Sequence, residues 1–407
     1  MNAIDRTSAK QFDSIICVSQ TPWQGKFQNS AVQLLTVLSE RYRILYVDYP
    51  YTVKDLVAGL RGKRQVPVKA LTRVENPLTK LSLGPNRSVH VWTPPVLFPI
   101  NWMSAAQHDT FLPLNTGRLI KGLRRVMQQL NMQKPLVINA FNPVLGLPLV
   151  GQLQEFATIY YCFDEISAEA WMGKHGTRYE QEFMKRVDAV ITTSEALYRM
   201  KSQTQPHTFC VKNGANFDLF NQAYALRQQQ SGNRAIVGYL GTADNRIDTQ
   251  VVGYCARTMP EVEFQFVGLV VDPRIQEELS VYPNVRFIPS LPPAELPPIL
   301  AQWKAAMIPF VCNEHTYTIY PLKINEYLAA GLPVVSTPFS ILDDFENAIA
   351  IAATPEAFQE SLVKRMAEDT PEKQRQQVTL AQANSWERRA EEFEAVFDQV
   401  QAVKNPV

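Results

Sequence analysis

The feature that most constrains the fold of this chain is a series of short, continuously apolar runs separated by stretches with helical periodicity. Runs that are apolar throughout, without alternation, indicate strands covered on both faces, as in a parallel sheet. In the first half of the chain the predicted strands are residues 14–19, 43–49, 135–141, 158–164, 188–194 and 208–214. Their alternation with helices predicts a doubly wound α/β sheet.

The same alternation restarts after a polar, Gln-rich stretch at residues 221–234, which we interpret as a linker or an exposed helix. A second set of strands is predicted at residues 235–241, 263–268, 285–290, 304–310 and 333–337. The sequence therefore predicts two similar α/β lobes in one chain.

The final segment of the chain, residues 385–403, has the pattern of an amphipathic helix. Its apolar stripe consists of Trp386, Ala390, Phe393 and Phe397. We predict three parts: an N-terminal Rossmann-like domain at 1–215, a C-terminal Rossmann-like domain at 216–384, and a C-terminal helix at 385–407 that crosses back to the first lobe.

Composition limits the class of protein. No apolar run approaches the roughly 20 residues that span a bilayer, and the start of the chain lacks a basic-then-apolar leader pattern. We therefore expect neither a membrane span nor a secretory signal. The five cysteines have no CxxC spacing, which favours buried reduced thiols and a cytosolic protein. The five histidines have no metal-ligand spacing, so we predict no metal site and no cofactor.

The net charge of +1 hides a strong asymmetry between the two halves. Residues 1–150 hold 18 Lys and Arg against 7 Asp and Glu, whereas the remainder holds 22 against 32. This difference indicates two lobes with different partners. A basic first lobe suits nucleic acid, an anionic membrane surface or an anionic ligand.

The stretch YPLKINEYLAAGLPVVS, residues 320–336, predicts a helix with an unusual start. Pro321 suits the first helical position and Gly331 the position after the end, but Tyr320 stands where a Ser, Thr, Asp or Asn would cap. Lys323 adds a cation to a helix end that already carries partial positive charge. One interpretation is an anion site, most simply for a phosphate. The alternative is a solvated helix start with a surface lysine.

Glu326 lies three residues after Lys323, so the two side chains project from one face of the helix. They either form an ion pair within the helix or share a ligand. In the second case Lys323 contacts phosphate while Glu326 accepts hydrogen bonds from sugar hydroxyls, an arrangement that recurs in nucleotide sites.

Other candidate residues follow predicted strands, at the edge of a doubly wound sheet where ligands bind. In the second lobe, Gly241, Thr242 and Arg246 form either a phosphate-binding loop or a tight turn. In the first lobe, Gly25 lies in the loop after the first strand.

Two adjacent carboxylates, Asp164 and Glu165, follow a strand of the first lobe. One of them is a candidate general base for an incoming hydroxyl. The alternative is a helix cap provided by Asp164 or Ser167.

Residues 321–337, preceded by residues 296–310, resemble the nucleotide-sugar signature of glycosyltransferases with the GT-B fold. The resemblance is to the large retaining group that builds polysaccharides and lipopolysaccharides, especially its bacterial teichuronic-acid-type and exopolysaccharide branch. Further segments follow in the family's order, at residues 160–165, 188–197, 211–220, 237–248 and 385–394.

This resemblance implies two Rossmann-like lobes facing a cleft, with a nucleotide-sugar donor held mostly by the second. It implies that Glu326 binds the ribose and that Lys323 and Arg246 neutralise the diphosphate without a metal. Further donor contacts are expected from Gly25, Gly241, Thr242 and Leu322.

The catalytic residues that the resemblance implies are Asp164, Arg246 and Lys323, with Asp164 at a position near the reacting sugar. The sequence departs from the family at Thr318, where a glutamate often contacts the transferred sugar. Glu314 and His315 are nearby candidates to replace it. Retaining and inverting stereochemistry both stay open.

The expected function is transfer of a sugar to a hydroxyl of a glycan or lipid-linked acceptor in cell-surface polysaccharide synthesis. The alternatives are a nucleotide-sugar epimerase of the same fold and a non-catalytic nucleotide-sugar-binding subunit. Residues 54–73 and 118–125 are rich in Lys and Arg, and residues 91–103 between them are aromatic and aliphatic. They suit either docking on the anionic inner face of the cytoplasmic membrane or a solvated basic face with a core segment. No nucleic-acid partner is expected.

Overall fold

The structure is a computed structural model that describes residues 11–25, 29–168, 172–229, 235–345 and 347–405. It divides into two compact units, the first comprising Met1–Val211 with Ala390–Val407 and the second Lys212–Arg389. Each unit is a sheet with helices, so the predicted pair of α/β lobes is confirmed.

The first unit contains an eight-stranded sheet in the order β3-β4-β2-β1-β5-β6-β7-β8. Its strands are β1 (Ile15–Ser19), β2 (Ile44–Val47), β3 (Leu78–Ser82), β4 (Ser88–Trp92), β5 (Leu136–Ala140), β6 (Ala157–Cys162), β7 (Ala189–Thr192) and β8 (Thr208–Cys210). Its helices are α1 (Ser30–Leu38), α2 (Val53–Leu60), α3 (Val68–Leu71), α4 (Ala105–Gln129), α5 (Pro143–Gly146), α6 (Gly173–Met184) and α7 (Glu195–Lys201).

All pairings in this sheet are parallel except that of the edge strand β3, which runs antiparallel to β4. The parallel sheet expected from the sequence is therefore confirmed, with an antiparallel strand added at this edge. β1, β5 and β6 are buried along their whole length, as continuous apolar runs predict, whereas three of the five residues of β3 are exposed.

The second unit contains a six-stranded parallel sheet in the order β11-β10-β9-β12-β13-β14. Its strands are β9 (Ile236–Leu240), β10 (Glu263–Val267), β11 (Val285–Ile288), β12 (Ala305–Ile308), β13 (Val334–Ser336) and β14 (Ile349–Ile351). Its helices are α8 (Phe217–Arg227), α9 (Thr249–Thr258), α10 (Pro273–Leu279), α11 (Leu296–Leu300), α12 (Glu314–Tyr317), α13 (Leu322–Ala329), α14 (Pro355–Ala367) and α15 (Pro371–Ala383).

The strand order reverses once in each sheet, between β1 and β5 in the first and between β9 and β12 in the second. Beyond the carboxyl ends of the strands at such a reversal, the loops diverge and leave a crevice for a ligand. The loops after these four strands are therefore where each unit is expected to bind.

The Gln-rich stretch is not simply a linker, because its first half, residues 221–227, lies in α8. Phe220 and Ala223 of this helix are buried in the core of the second unit. Residues 230–234 lie outside the described residues.

The C-terminal helix α16 (Trp386–Lys404) buries the predicted stripe, and its residues from Ala390 onward belong to the first unit. Phe393 packs edge-on against Tyr161, with ring centres 5.1 Å apart, and Glu394 pairs with Arg41 at 3.0 Å. These contacts place the helix on the first lobe, as expected.

The five cysteines form no disulfide, and Cys17, Cys162 and Cys255 are buried as expected. Cys210 is half-buried, and Cys312 is exposed in the loop after β12, so the prediction of a buried thiol is wrong there. Among the helices of the described residues, none combines the length and apolar character that crossing a bilayer requires.

Candidate functional site

The loop after β9 brings its backbone unusually close to Lys323. Gly241 has a φ of 144°, and a methyl group built there would overlap Cε of Lys323. Its amide donates to the Val267 carbonyl at 2.8 Å, which fixes the loop against β10. Because any larger residue would displace the lysine, Gly241 lets the Lys323 side chain lie across the end of the strand.

Gly268, at the end of β10, is a further site residue that the sequence analysis missed. It has a φ of 150°, and a methyl group there would overlap the carbonyl oxygen of Gly241. The two glycines therefore allow neighbouring loops to approach each other. The sequence signal that could have identified Gly268 is a glycine directly after a buried strand.

Arg246 is oriented by Asp244, another residue that the sequence analysis did not single out. Its Nε and Nη2 donate to the two carboxylate oxygens of Asp244 at 2.8 and 2.6 Å. Its guanidinium carbon lies 5.4 Å from the centre of the Phe310 ring. The Arg246 carbonyl accepts from Val311 at 2.8 Å, so the loops after β9 and β12 are joined through their backbones.

Thr242 belongs to the same loop, and its carbonyl oxygen accepts from the Tyr239 hydroxyl at 3.0 Å. The Tyr327 hydroxyl of α13 accepts from the Leu240 amide at 2.7 Å. The Tyr327 bond joins α13 to the end of β9, and the Tyr239 bond joins the loop to its own strand. Each tyrosine satisfies a backbone group that would otherwise be buried alone.

Helix α13 begins one residue later than predicted, at Leu322, and Pro321 is the capping residue with non-helical φ and ψ of −81° and 84°. No side chain caps this end and no acidic residue lies in the first turn, as predicted. Two of its N–H groups are nevertheless satisfied, because Leu322 donates to Tyr320 and Ile324 donates to Pro321, each at 3.0 Å. Fewer backbone N–H groups at this helix start are therefore available to an anion than the sequence predicted.

The other end of α13 is as predicted. Gly331 has a φ of 63° and donates to the Leu328 carbonyl at 2.9 Å, while Leu332 donates to the Tyr327 carbonyl at 3.0 Å. This pair of bonds is a Schellman motif, which requires the left-handed conformation that glycine adopts without strain.

Lys323 and Glu326 are both half-buried, and among the described residues no hydrogen bond or ion pair joins their charged groups. The interpretation as an ion pair within the helix is therefore wrong. Burial raises the pKa of Glu326 to about 7, although Lys323 opposes the rise. Burial also lowers the pKa of Lys323, against the effect of Glu326, and Arg246 lowers it further. Burial therefore disfavours the charged form of both side chains, and no hydrogen bond or ion pair between them offsets this cost. Such perturbed charged groups are frequent at binding sites.

Thr318 is buried at the end of α12, and its hydroxyl donates to the His315 carbonyl at 2.9 Å. Its side chain therefore closes a short helix. Of the two nearby candidates, Glu314 is exposed and His315 is half-buried.

In the first unit, Asp164 is half-buried in the bend after β6. Its neighbour Glu165 is committed elsewhere, because it pairs with buried Lys201 at 2.7 Å and accepts from the Ser167 hydroxyl at 2.9 Å. Burial raises the pKa of Glu165, but the Lys201 ammonium outweighs this effect and holds the pKa below its usual value. Of the two adjacent carboxylates, Asp164 is thus the candidate base.

Lys201 also pairs with buried Glu180 at 2.8 Å, and Glu180 accepts from the Tyr160 hydroxyl at 2.8 Å. This network ties α6 and α7 to the strand that precedes Asp164. Buried charges of this kind persist only when paired and hydrogen-bonded.

A pocket of about 500 Å³ lies in the first unit beyond the carboxyl ends of β1, β2 and β5. Its walls are mostly apolar, and its polar groups include Gln20, His108 and Asn142. Burial lowers the pKa of His108 to about 4, so this imidazole is neutral at pH 7. Nδ2 of Asn142 is buried and has no hydrogen-bond partner among the described residues.

The predicted residues thus fall into two groups. Gly241, Thr242, Arg246, Leu322, Lys323 and Glu326 gather at the carboxyl edge of the second sheet. Asp164 and Gly25 belong to the first unit, where Gly25 is exposed next to residues outside the described ranges. Within the described ranges, no cluster of His, Cys, Asp or Glu is placed to hold a metal ion.

Comparison with solved structures defines the class of fold. HepE of Anabaena in complex with UDP matches 95% of this chain and 100% of its own, with a TM-score of 0.62 and 14% identity. The α,α-trehalose 6-phosphate synthase of Burkholderia multivorans matches 97% and 100%, with a TM-score of 0.66 and 11% identity. The two parallel-sheet lobes therefore have the GT-B fold.

Sequence comparison then relates part of the chain to a known family. Residues 236–368 match the family described as glycosyl transferases group 1. TuaH of Bacillus subtilis strain 168, described as a teichuronic acid biosynthesis glycosyltransferase, is 26% identical over 214 residues. That match covers 47% of this chain and about half (53%) of TuaH. Residues 236–368 are thus similar to a glycosyltransferase group 1 domain, and the comparisons give no support to the epimerase alternative.

Proposed function

We propose that this protein transfers a sugar from a nucleotide-sugar donor to a hydroxyl of a glycan or lipid-linked acceptor, in the synthesis of a cell-surface polysaccharide. One observation carries the proposal. Within the segment that matches glycosyltransferases, Lys323 lies against Gly241 at a helix start without a side-chain cap, and Glu326 lies one turn further on. The names of the relatives agree with this activity, since HepE was crystallised with UDP-glucose and TuaH is named for teichuronic acid synthesis.

In the proposed donor site, the diphosphate lies beside Lys323 and Arg246, with Gly241, Thr242 and Leu322 alongside. Negative charge grows on the diphosphate as the sugar leaves, so the two cations and the helix end stabilise the transition state more than the bound donor. We assign this role to the chain's own cations and invoke no metal.

The Glu326 carboxylate accepts hydrogen bonds from the ribose hydroxyls. Burial disfavours the charge of this half-buried carboxylate and raises its pKa, so its charged form gains from further hydrogen-bond donors. Two hydroxyl donors supply what is missing, so nucleotide binding lowers the pKa of Glu326. The nucleotide therefore binds more weakly as pH falls below 7.

The first unit binds the acceptor in the 500 Å³ pocket. Asp164 lies near the reacting sugar, and Gly25 lets the first loop approach the donor. We propose that the protein acts in the cytoplasm, at the anionic inner face of the cytoplasmic membrane. The excess of basic residues in the first 150 positions supports that location.

The test is a hydrolysis and transfer screen over a panel of nucleotide-sugars, combined with calorimetry of nucleoside diphosphates. We expect Glu326→Ala to weaken diphosphate binding about 10–100-fold, since hydrogen bonds to a charged group contribute about 1.5–3 kcal/mol. Lys323→Ala should chiefly lower turnover, by about 10²–10³-fold. Glu277→Ala and Lys364→Ala, at exposed positions of the same unit, are the matched controls.

Two outcomes would contradict the proposal. Tight diphosphate binding without hydrolysis or transfer for any donor would instead favour a non-catalytic binding subunit. Normal turnover in both site variants would show that the donor site has been assigned to the wrong residues.

A further inference from the structure

The exposed apolar side chains of this protein are concentrated in one part of the first unit. Of the fifteen large apolar residues that are exposed within the described ranges, eight lie between positions 53 and 114. These include Trp102 at 72%, Leu114 at 54% and Phe98 at 48% exposure. Clusters of this kind mark surfaces that meet a partner.

Three elements carry seven of these eight residues, all except Val74. Helix α2 exposes Val53, Val57 and Leu60, whose spacing of four and three residues forms one helical stripe. Helix α4 exposes Phe111 and Leu114, which are likewise three residues apart.

The loop that contains Phe98 and Trp102 joins the two helices. Val53 at the start of α2 donates its amide to the Leu97 carbonyl at 2.9 Å. The Asn115 side chain of α4 accepts from the Phe98 amide at 2.8 Å and donates to the Phe98 carbonyl at 3.0 Å. The exposed residues of α2, the loop and α4 therefore lie on three neighbouring elements, and we call them together the apolar–basic face.

This face is strongly cationic. Residues 53–74 and 98–129 hold ten Lys and Arg but only two acidic residues, Asp55 and Asp109. Both acids are neutralised, Asp55 by Arg64 and Asp109 by Arg178.

The cations lie next to the apolar side chains. Arg118 and Lys121 follow Leu114 by four and seven residues on the exposed side of α4, and the Arg118 guanidinium lies 5.6 Å from the Phe98 ring centre. Lys174 donates to the Trp102 carbonyl at 2.7 Å. Exposed Trp, Phe and Leu bordered by Lys and Arg are the composition of surfaces that lie in the headgroup region of a bilayer.

We propose that the apolar–basic face docks on an anionic lipid bilayer, with the aromatic loop and the stripes of α2 and α4 inserted among the headgroups. The biological role of this docking rests on the proposed function, which places the acceptor in the 500 Å³ pocket. Phe98 and Trp102 of the apolar–basic face also line that pocket. The mouth of the pocket therefore opens within the docked surface, and a bilayer-anchored acceptor enters it directly. The acceptor is an amphiphile, with its oxygen-rich head toward Asn142 and His108 and its hydrocarbon along the apolar wall.

The experiment is vesicle flotation of the full chain, without nucleotide or sugar, on phosphatidylcholine vesicles with and without phosphatidylglycerol. We expect binding only to the anionic vesicles, weakening as salt is added. Each cation near such a surface contributes about 1 kcal/mol, so the double variant Arg118→Gln, Lys121→Gln should bind about 25-fold more weakly. Trp102→Ala with Leu114→Ser should also release the protein.

The matched control is Val281→Ser with Lys364→Gln, which removes an exposed apolar side chain and a cation from the second unit. This control should float like wild type, and thermal unfolding should show that all variants are folded. Binding that is indifferent to phosphatidylglycerol and salt, or face variants that float like wild type, would overturn the proposal. Donor hydrolysis without vesicles is measured separately, so failure of docking and failure of the proposed function are distinguishable.

Discussion

Replacing Glu326 by Gln should stabilise the protein at high pH and have little effect at low pH. The substitution keeps the size of the side chain but removes its charge. In the folded protein the pKa of Glu326 is about 7, against an ordinary value of 4.5, because burial disfavours the carboxylate. The folded state therefore binds more protons than the unfolded state between these two pH values.

The sign and the size of the effect follow from this difference. Below pH 4.5 the carboxyl group is protonated in both states and costs nothing. As pH rises from 4.5 to 7, wild type loses stability, by up to about 3.4 kcal/mol for a pKa raised from 4.5 to about 7. Because the side chain is only half-buried, water screens part of this cost and we expect about 2 kcal/mol.

The measurement is thermal unfolding of wild type and variant at pH 5 and pH 8 without nucleotide. In a unit of roughly 180 residues, a change of 1 kcal/mol shifts Tm by about 2–4 °C. Glu326→Gln should therefore gain about 4–8 °C over wild type at pH 8 and much less at pH 5. The exposed residue substitution Glu277→Gln is the control.

A gain in Tm that is the same at both pH values would refute the reasoning, since it would not come from ionisation of Glu326. With a saturating nucleoside diphosphate the order should reverse at pH 8, because only the carboxylate accepts both ribose hydroxyls. At functional sites, removing a binding group often raises the stability of the protein and lowers its activity.

Three further predictions follow from the geometry. Gly241→Ala should displace Lys323 and, like Lys323→Ala, chiefly lower turnover in the hydrolysis assay, by about 10²–10³-fold; Gly84→Ala, also at positive φ but in open space, should leave turnover unchanged. Lys201→Met should lower the free energy of unfolding in urea by about 3–5 kcal/mol, because it leaves two buried glutamates unpaired; a loss below 1 kcal/mol would contradict the network. Asp164→Asn should reduce kcat about 10²–10⁴-fold in a transfer assay with unchanged diphosphate affinity, and a normal kcat would exclude it as the base.

The sequence by itself determined the two-lobed architecture, because continuous apolar runs and helical periodicity are properties of neighbouring residues. The same local signals identified the Gly331 end of α13, its missing side-chain cap and the buried stripe of α16. The antiparallel edge strand β3 was missed because its pattern is mostly polar and its direction depends on its partner β4.

Only the tertiary structure decided which charged groups are committed and which face an open site. Glu165 and Asp164 are adjacent and look equivalent in the sequence, yet in the folded chain Glu165 pairs with Lys201, 36 residues later, which also pairs with Glu180. Lys323 and Glu326 have the spacing of an ion pair, yet Lys323 extends across Gly241, 82 residues earlier, and the pair does not form. Such choices depend on burial and on long-range contacts, because the free energy of a charge is set by whatever surrounds it in space.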